Sequence, residues 1–341
     1  MKKLITKTLL FLIPFAIMFL LFFVFETYDY FGLKGNSHYL CNPLSNMRYA
    51  MNKKPSKIIL GDSRMANLNA DYIREVSGED YGKLAFGGAQ LGESIDMFWW
   101  ATEYCELEKV VFGVNFYTSS GTQTGEDKVP WVERSKADAL SVVKYATGMN
   151  YWLQAMSNAK NSIMNAVYTA IGREDKIVLN EDPSRLVEVL PPQEMGEKWR
   201  LNMENYASND IYPAMSGFNI QPETYAALEE IIDYCEEKDI DLIFVFPPVH
   251  EVIFERVIIP LDLFDELAEF KQFFIDRATV YDMEIRSEFT SAPDSFYDGF
   301  HMLLDGKMLF ARMLFTDTEE HPEMIEKHIK DSVAIIPEHL N

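Results

Sequence analysis

The sequence has few cysteines and no motif that would bind a metal or a dinucleotide. Cys41, Cys105 and Cys235 are its three cysteines, widely spaced and without a CxxC pair, which excludes a disulfide-built scaffold and a cysteine zinc site. One disulfide stays open, but reduced or buried structural cysteines are the interpretation we prefer. No HExxH, EF-hand or GxGxxG motif is present, so we expect no metal, no NAD and no other cofactor.

Basic residues are also scarce. Lys and Arg number 31 against 53 Asp and Glu, which gives a net charge of -22. A body this acidic repels phosphate backbones, so we expect no nucleic-acid partner and no broad contact with a long anionic polymer. The apolar fraction of 48% is that of a globular protein with a sizeable core.

Charged residues are absent from a long apolar run between Leu9 and Phe25. Roughly 20 apolar residues span a bilayer as a helix, and membrane helices tolerate a proline such as Pro14. A cleaved signal peptide is the alternative, but the run is long and aromatic, and no small-x-small cleavage site follows it. We therefore predict an uncleaved single-pass anchor over residues 1–28. The lysines before the run predict a cytoplasmic N-terminus and an extracytoplasmic body.

After a polar linker at 29–55, short apolar runs alternate with helical patterns. The predicted strands are 57–61, 83–86, 110–113, 241–246 and 279–281, and the predicted helices are 69–76, 92–106, 222–238, 261–277 and 303–315. Such alternation is typical of βαβ units. It predicts an α/β fold, a three-layer sandwich with a central, mostly parallel five-stranded sheet.

The alternation is interrupted between about 118 and 220. We interpret this stretch as a helical insertion in one catalytic domain at 56–316, followed by an uninformative tail at 317–341. An apolar set recurs in the insertion at helical spacing, consisting of Trp152, Met156, Ala159, Ile163, Val167 and Ile171. Core packing is the interpretation we prefer for it. A lid over the active site and a face that docks on a membrane partner are the alternatives.

Residues suited to catalysis follow the first three predicted strands. Sites in open α/β sheets form at the carboxyl ends of the strands. The Gly-Asp-Ser-Arg segment at 61–64 follows the first strand and presents Ser63 at the start of a helix. Gly88 follows the second strand and Asn115 the third, where a backbone amide and a side-chain amide can donate to an oxyanion.

The segment Asp298-Gly-Phe-His301 supplies a candidate general base just ahead of the last predicted helix. A carboxylate three residues before a histidine can fold back onto the ring, fix its tautomer and stabilise the imidazolium. His250 is the competing histidine, but no carboxylate closely precedes it, and we expect it to line the pocket. A role for Ser63 as a mere helix cap stays open as an alternative. For Arg64 two roles stay open: a ligand for a substrate carboxylate or phosphate, and an ion-pair partner within the protein body.

These blocks, in this order, resemble the SGNH/GDSL hydrolase superfamily, through Gly61-Asp62-Ser63, Gly88, Gly113-x-Asn115 and Asp298-x-x-His301. The resemblance implies a flavodoxin-like fold, with Ser63 as nucleophile, His301 as base and Asp298 as the residue that orients it. It also implies an oxyanion hole formed by the amides of Ser63 and Gly88 and the Asn115 side chain. Two positions depart from the pattern: Phe116 replaces an aspartate after the asparagine, and no asparagine stands just ahead of Gly88.

In overall plan the chain is similar to the anchored SGNH proteins of cell-envelope O-acylation, which include the DltD-type proteins of teichoic-acid D-alanylation. The likeness covers most of 55–315. It implies an extracytoplasmic serine esterase or acyltransferase that acts on O-acyl groups of an envelope polymer or lipid-linked glycan. It implies a membrane-bound O-acyltransferase as partner and a cell-wall glycan or acyl carrier as substrate. Two alternatives are a non-catalytic subunit of an O-acyltransferase complex and a carbohydrate O-deacetylase.

Overall fold

The structure is a computed structural model of the chain. It describes residues 2–26, 30–31, 43–120, 139–173, 196–292, 295–316 and 322–330. The chain divides into two compact units. The helical unit comprises Met1–Tyr49 and Pro130–Pro183, and the sheet unit comprises Ala50–Val129 and Ser184–Asn341.

A six-stranded sheet forms the centre of the sheet unit. Its strands are β1 (Lys57–Leu60), β2 (Gly82–Lys83), β3 (Lys109–Gly113), β4 (Asp241–Phe246), β5 (Thr279–Asp282) and β6 (Glu326–His328). Their order is β2-β1-β3-β4-β5-β6, with every neighbouring pair parallel except β5 and β6. The predicted mostly parallel α/β sheet is confirmed. The predicted number of five strands is wrong, because β6 has the sequence Glu-Lys-His and carries no apolar signal.

The register of the central strands aligns their carboxyl ends. Leu60 of β1 pairs with Phe112 of β3, which in turn pairs with Phe244 of β4. All three side chains are buried, as expected for strands covered on both faces. The segments that follow β1, β3 and β4 therefore leave the sheet along one edge, where the candidate residues lie.

The helices, numbered along the chain, have the following bounds. They are α1 Lys2–Phe25, α2 Pro43–Lys53, α3 Ser63–Ala66, α4 Ala70–Ser77, α5 Leu91–Tyr104, α6 Ala139–Thr147, α7 Met149–Ala170, α8 Gly196–Tyr206, α9 Tyr212–Met215, α10 Pro222–Glu237, α11 Glu251–Ile253, α12 Ile259–Leu261, α13 Phe264–Ile275, α14 Glu288–Ser291 and α15 Leu304–Phe315. Short 3-10 turns cover Phe116–Thr118 and Pro322–Met324, and π-helical turns cover Ala207–Ile211 and Phe254–Ile258.

Two of these helices depart from the sequence-based expectations. Helix α2 lies within the stretch interpreted as a polar linker at 29–55. The helix predicted over 261–277 begins only at Phe264, because Asp262 adopts a left-handed backbone with a φ of 54° that ends α12. The apolar face of α13 packs on the sheet, where the rings of Phe274 and Phe244 lie 4.7 Å apart.

The helical unit has an apolar core of its own. Its buried residues are Phe22, Tyr30, Leu44, Tyr145, Ala146 and Ala155. Helix α7 packs on α1 through Trp152, whose ring centre lies 4.7 Å from that of Phe22. The Nδ2 of Asn158 donates to the carbonyl of Phe25 at 3.2 Å. Among the helices in the described ranges, none combines the length and the hydropathy needed to cross a bilayer.

The apolar stripe of α7 is exposed. Met156, Ile163, Val167 and Ile171 are 64%, 61%, 47% and 66% exposed, and only Trp152 and Ala159 of the predicted set are partly buried. The core-packing interpretation of this stripe is therefore wrong. The buried face of α7 lies on another side of the helix, at Ala155 and its neighbours.

Cys105 and Cys235 are free and buried, as the preferred interpretation of the cysteines expects. Burial raises the pKa of the Cys105 thiol to about 11 and that of Cys235 to about 12. Both thiols are therefore protonated near neutral pH and are poor nucleophiles. Cys41 lies outside the described residues.

Candidate active site

A sharp turn after β1 presents the candidate nucleophile. Gly61 has a φ of 129°, and a Cβ built on it would lie 2.8 Å from the Met65 side chain and 2.9 Å from the carbonyl of Gly113. Only glycine fits this position without strain. The chain then enters α3 at Ser63, and the Asp62 carboxylate caps that helix by accepting from the amide of Arg64 at 2.9 Å.

Ser63 meets His301 although 238 residues separate them along the chain. The Oγ of Ser63 lies 2.6 Å from Nε2 of His301, and Nδ1 of the same ring lies 2.7 Å from the Oδ2 of Asp298. The imidazole thus bridges a hydroxyl and a carboxylate. In the tautomer that this arrangement favours, Nδ1–H donates to Asp298 and Nε2 is free to accept the serine proton.

The loop that carries Asp298 and His301 is tightly built. The Oδ1 of Asp298 accepts from the amides of Phe300 at 3.1 Å and His301 at 2.8 Å, while Gly299 turns the chain with a φ of 89°. The carboxylate therefore orders its own loop with one oxygen and holds the imidazole with the other. The spacing of three residues predicted that the Asp298 carboxylate holds the imidazole, but not that it also orders the loop.

Phe300 anchors this loop in the protein. Its ring centre lies 5.1 Å from that of Tyr117 and 5.8 Å from that of Tyr206, and the Arg64 guanidinium lies 5.1 Å from it. Phe300 is also buried. The loop thus gains an aromatic support from the segment after β3 and from α8, which the sequence pattern did not reveal.

Arg64 forms an ion pair within the protein body, which is the second of the two roles predicted for it. It is only 1% exposed, its Nη2 lies 3.0 Å from the Oδ2 of Asp62, and its Nη1 donates to the carbonyl of Pro247 at 3.0 Å. The guanidinium therefore ties the turn after β1 to the end of β4. Its donors are directed at groups of the protein and not at solvent.

Asn115 contacts the same carboxylate. Its Nδ2 donates to the Oδ2 of Asp62 at 2.5 Å, and its Oδ1 accepts from the amide of Tyr117 at 2.9 Å. Because a side-chain amide has two hydrogens, one N–H of Asn115 stays available for an oxyanion. Burial alone would raise the pKa of Asp62, but the ion pair with Arg64 and the hydrogen bonds from Arg64 and Asn115 lower it below its ordinary value.

Two backbone amides are available as further donors. Ser63 is the first residue of α3, so its amide has no acceptor within the helix. Gly88 is exposed in a turn with a φ of 75°, and a Cβ built there would contact nothing within 4 Å. Within the described ranges, no turn or loop contains a hydrogen bond from either of these amides to a backbone carbonyl.

His250 contacts the loop that carries the candidate base, His301. Its backbone amide donates to the carbonyl of Gly299 at 2.8 Å, and its ring Nδ1 accepts from the amide of Val252 at 3.2 Å. Burial lowers the pKa of this imidazole, which is 8% exposed, so the ring is neutral with its proton on Nε2. These contacts give His250 a supporting position under the Asp298–His301 loop, and its expected place in the wall of the substrate pocket stays a prediction.

Tyr206 is a neighbour of the site that the sequence did not indicate. Its ring centre lies 6.4 Å from that of His301. Burial, together with the nearby carboxylate of Asp298, raises the pKa of its phenol to about 12, so the hydroxyl is protonated near neutral pH. It comes from the stretch interpreted as a helical insertion, where no motif distinguishes it from the other tyrosines.

A separate cavity of about 690 Å³ lies beyond the ends of β4 and β5. Val249, Lys271 and Glu284 are among its lining residues, and none of the predicted catalytic or oxyanion residues lines it. Lys271 pairs there with Asp282 at 2.8 Å. In the part of the chain that the structure describes, no group of three or more His, Cys, Asp or Glu side chains is placed to hold a metal ion.

No protein-family model matches the sequence, and a comparison with curated proteins gives no match. The chemistry of the site is therefore inferred from its residues and their geometry.

Proposed function

We propose that the chain is a serine enzyme that cleaves or transfers O-acyl groups through an acyl-enzyme on Ser63. The observation that carries this proposal is the continuous contact from the Ser63 hydroxyl through His301 to Asp298, at 2.6 Å and 2.7 Å. A lone serine after a strand is commonly a helix cap, but a cap does not need an imidazole on its Oγ. In α3 the capping oxygen comes from Asp62 instead.

The reaction would begin with attack of the Ser63 Oγ on an ester carbonyl, as His301 Nε2 takes the hydroxyl proton. Asp298 would stabilise the imidazolium, and the amides of Ser63 and Gly88 with the remaining N–H of Asn115 would donate to the negatively charged carbonyl oxygen. Collapse of the intermediate releases the alcohol, which takes the proton from His301. Water or an acceptor hydroxyl then attacks the acyl-serine by the same steps in reverse.

We propose further that the apolar run Leu9–Phe25 anchors the chain in a membrane and that the sheet unit acts outside the cytoplasm, although none of the helices in the described ranges, α1 included, meets the length and hydropathy expected of a bilayer-spanning helix. The apolar side chains of α1 between Phe11 and Val24 are largely exposed and would be covered by lipid. Lysines stand only at its N-terminal end. The resemblance to the anchored SGNH proteins of cell-envelope O-acylation supports an O-acylated envelope polymer or lipid-linked glycan as the substrate class, with a membrane-bound O-acyltransferase as partner.

A fluorophosphonate probe, which labels activated serines, tests the catalytic proposal. We expect the wild-type chain to be labelled, and the Ser63→Ala and His301→Ala variants to remain unlabelled. Ser216→Ala, a change at an exposed serine outside the triad, is the matched control and should label like the wild type. Equal labelling of wild type and Ser63→Ala would refute the proposal.

Hydrolysis and transfer are separated by competition. If the chain transfers acyl groups, adding an acceptor alcohol to a model ester should produce the new ester at the expense of free acid. If water remains the acceptor at every alcohol concentration, the alternative of a carbohydrate O-deacetylase describes the enzyme better.

Membrane attachment is tested separately, since an anchored chain stays in the membrane fraction after alkaline washing.

A further inference from the structure

Tyr206 is a partly exposed aromatic side chain beside the candidate base. Its ring centre lies 6.4 Å from that of His301 and 5.8 Å from that of Phe300. Phe300 is buried, whereas the side chain of His301 is 27% exposed. Tyr206 therefore borders the side of the catalytic loop where a ligand can reach the imidazole.

The packing of helix α8 fixes the position of Tyr206. Tyr206 is the last residue of α8, and its neighbours Met203 and Ala207, one helical turn apart, are 2% and 0% exposed. The π-helical turn that begins at Ala207 follows directly, and such turns are frequent at functional sites. In addition, the Nη2 of Arg256 lies 3.5 Å from the Oε1 of Glu204 in α8. The ring is thus held in place before any ligand binds.

The hydroxyl of Tyr206 makes no hydrogen bond to a residue that the structure describes. Burial does most to raise the pKa of this phenol, and the carboxylates of Asp298 and Asp62 add to the rise, while the Arg64 guanidinium opposes it. The phenol is therefore a protonated donor close to the charges of the site. Because a tyrosine hydroxyl with an enclosed ring usually has a hydrogen-bond partner, a bound ligand is the natural source of one.

The proposed reaction fixes which part of an ester lies beside His301. When the tetrahedral intermediate collapses, the bond between the carbonyl carbon and the alcohol oxygen breaks, and its electron pair stays on that oxygen. The oxygen takes the proton held by the Nε2 of His301, so it must lie about 3 Å from this nitrogen. A side chain next to the imidazole therefore meets the alcohol, whereas Gly88 and Asn115 serve the carbonyl oxygen.

We infer that Tyr206 selects the alcohol part of the ester, and that this alcohol is an uncharged polyol or sugar with a second hydroxyl near the acylated one. The phenol donates to that hydroxyl, and the ring offers an apolar surface to the C–H groups of the polyol. A phosphate there would face the carboxylates of Asp298 and Asp62, because the donors of Arg64 bind Asp62 and the carbonyl of Pro247. This inference rests on the proposed function and holds for hydrolysis and transfer alike.

Hydrolysis of matched esters by the full chain tests the inference. The acyl group is the one that the wild type releases fastest from its p-nitrophenyl ester, and the alcohols are methanol, glycerol and glycerol 3-phosphate. In the wild type we expect kcat/KM to be highest for the glycerol ester. Because glycerol and methanol differ as leaving groups, the ratio of their kcat/KM values is compared between variants. Tyr206→Phe keeps the ring and loses the hydroxyl, and it should lower this ratio several-fold.

Tyr225→Phe is the matched control for the loss of a tyrosine hydroxyl. Tyr225 lies in α10, is also partly buried, and packs its ring 4.8 Å from that of Phe273. This variant should keep the wild-type ratio of the glycerol ester to the methyl ester. Thermal unfolding of both variants checks that the fold is retained.

The outcomes separate this inference from the function it rests on. An unchanged ratio in Tyr206→Phe would overturn it, as would a wild type that prefers the glycerol 3-phosphate ester. If Ser63 of the wild type is not labelled by the fluorophosphonate, or no p-nitrophenyl ester is turned over, the proposed function fails and this inference fails with it. If Ser63 is labelled and esters are hydrolysed, but the ratio does not respond to Tyr206→Phe, only this inference fails.

Discussion

The guanidinium of Arg64 lies 5.1 Å from the ring centre of Phe300. The two residues are the neighbours in sequence of Ser63 and His301, so this contact joins the segment of the candidate nucleophile to the segment of the candidate base. Arg64 also binds Asp62 and the carbonyl of Pro247. A buried arginine thus holds together the three segments on which the short Ser63–His301 distance depends.

Arg64→Met should destabilise the sheet unit by about 3–5 kcal/mol, because it leaves the buried Asp62 carboxylate without its ion-pair partner. Urea unfolding measures this change. Arg74→Met is the control, since Arg74 is half exposed and its pairing with Asp71 at the surface should contribute less than about 1 kcal/mol. A loss at Arg64 no larger than that at Arg74 would contradict the role of Arg64 in holding these segments.

Gly61→Ala should destabilise the fold by about 1–3 kcal/mol, because the new Cβ meets the backbone of Gly113 and the φ of 129° is strained for alanine. Gly87→Ala is the control, since a Cβ there contacts nothing within 4 Å, and it should change stability by less than about 0.5 kcal/mol. Thermal unfolding of the two variants compares them. Equal midpoints would show that the turn after β1 relaxes easily.

Asp298→Asn should slow fluorophosphonate labelling of Ser63 by roughly 10³–10⁴-fold, because an amide no longer favours the Nδ1–H tautomer of His301 or stabilises its cation. The Asn oxygen can still accept from the amides of Phe300 and His301, so the loop and the unfolding midpoint should be nearly unchanged. Asp210→Asn, at an exposed position, serves as the control. A labelling rate close to that of the wild type would remove Asp298 from the mechanism.

His250 makes the stability of the fold sensitive to mild acid. Burial depresses the pKa of the folded-state imidazole below its ordinary value, so the unfolded chain binds a proton more readily. The stabilisation is complete above the unfolded pKa of about 6.5 and is lost as pH falls from there through the folded pKa. His250→Gln should therefore flatten the pH dependence of unfolding below about pH 6.5. An unchanged profile would show that this ring does not titrate on unfolding.

The sequence could predict the sheet where burial leaves a local signal. β1, β3 and β4 are nearly continuous apolar runs because helices cover both faces of the sheet, and β4 was predicted with the bounds that it has. The contact between Asp298 and His301 was also local, since three residues separate them. β6 could not be predicted, because its Glu-Lys-His sequence gains its strand conformation from pairing with β5.

By itself, the sequence determined the alternation of strands and helices, the apolar N-terminal run and the residue types available at each strand end, because these depend on the character of neighbouring residues. Tertiary structure alone decided that Ser63 lies 2.6 Å from His301, that Arg64 points inward to Asp62, and that the stripe of α7 is exposed. Periodicity shows which side chains of a helix share a face. What that face meets depends on elements far away in the chain.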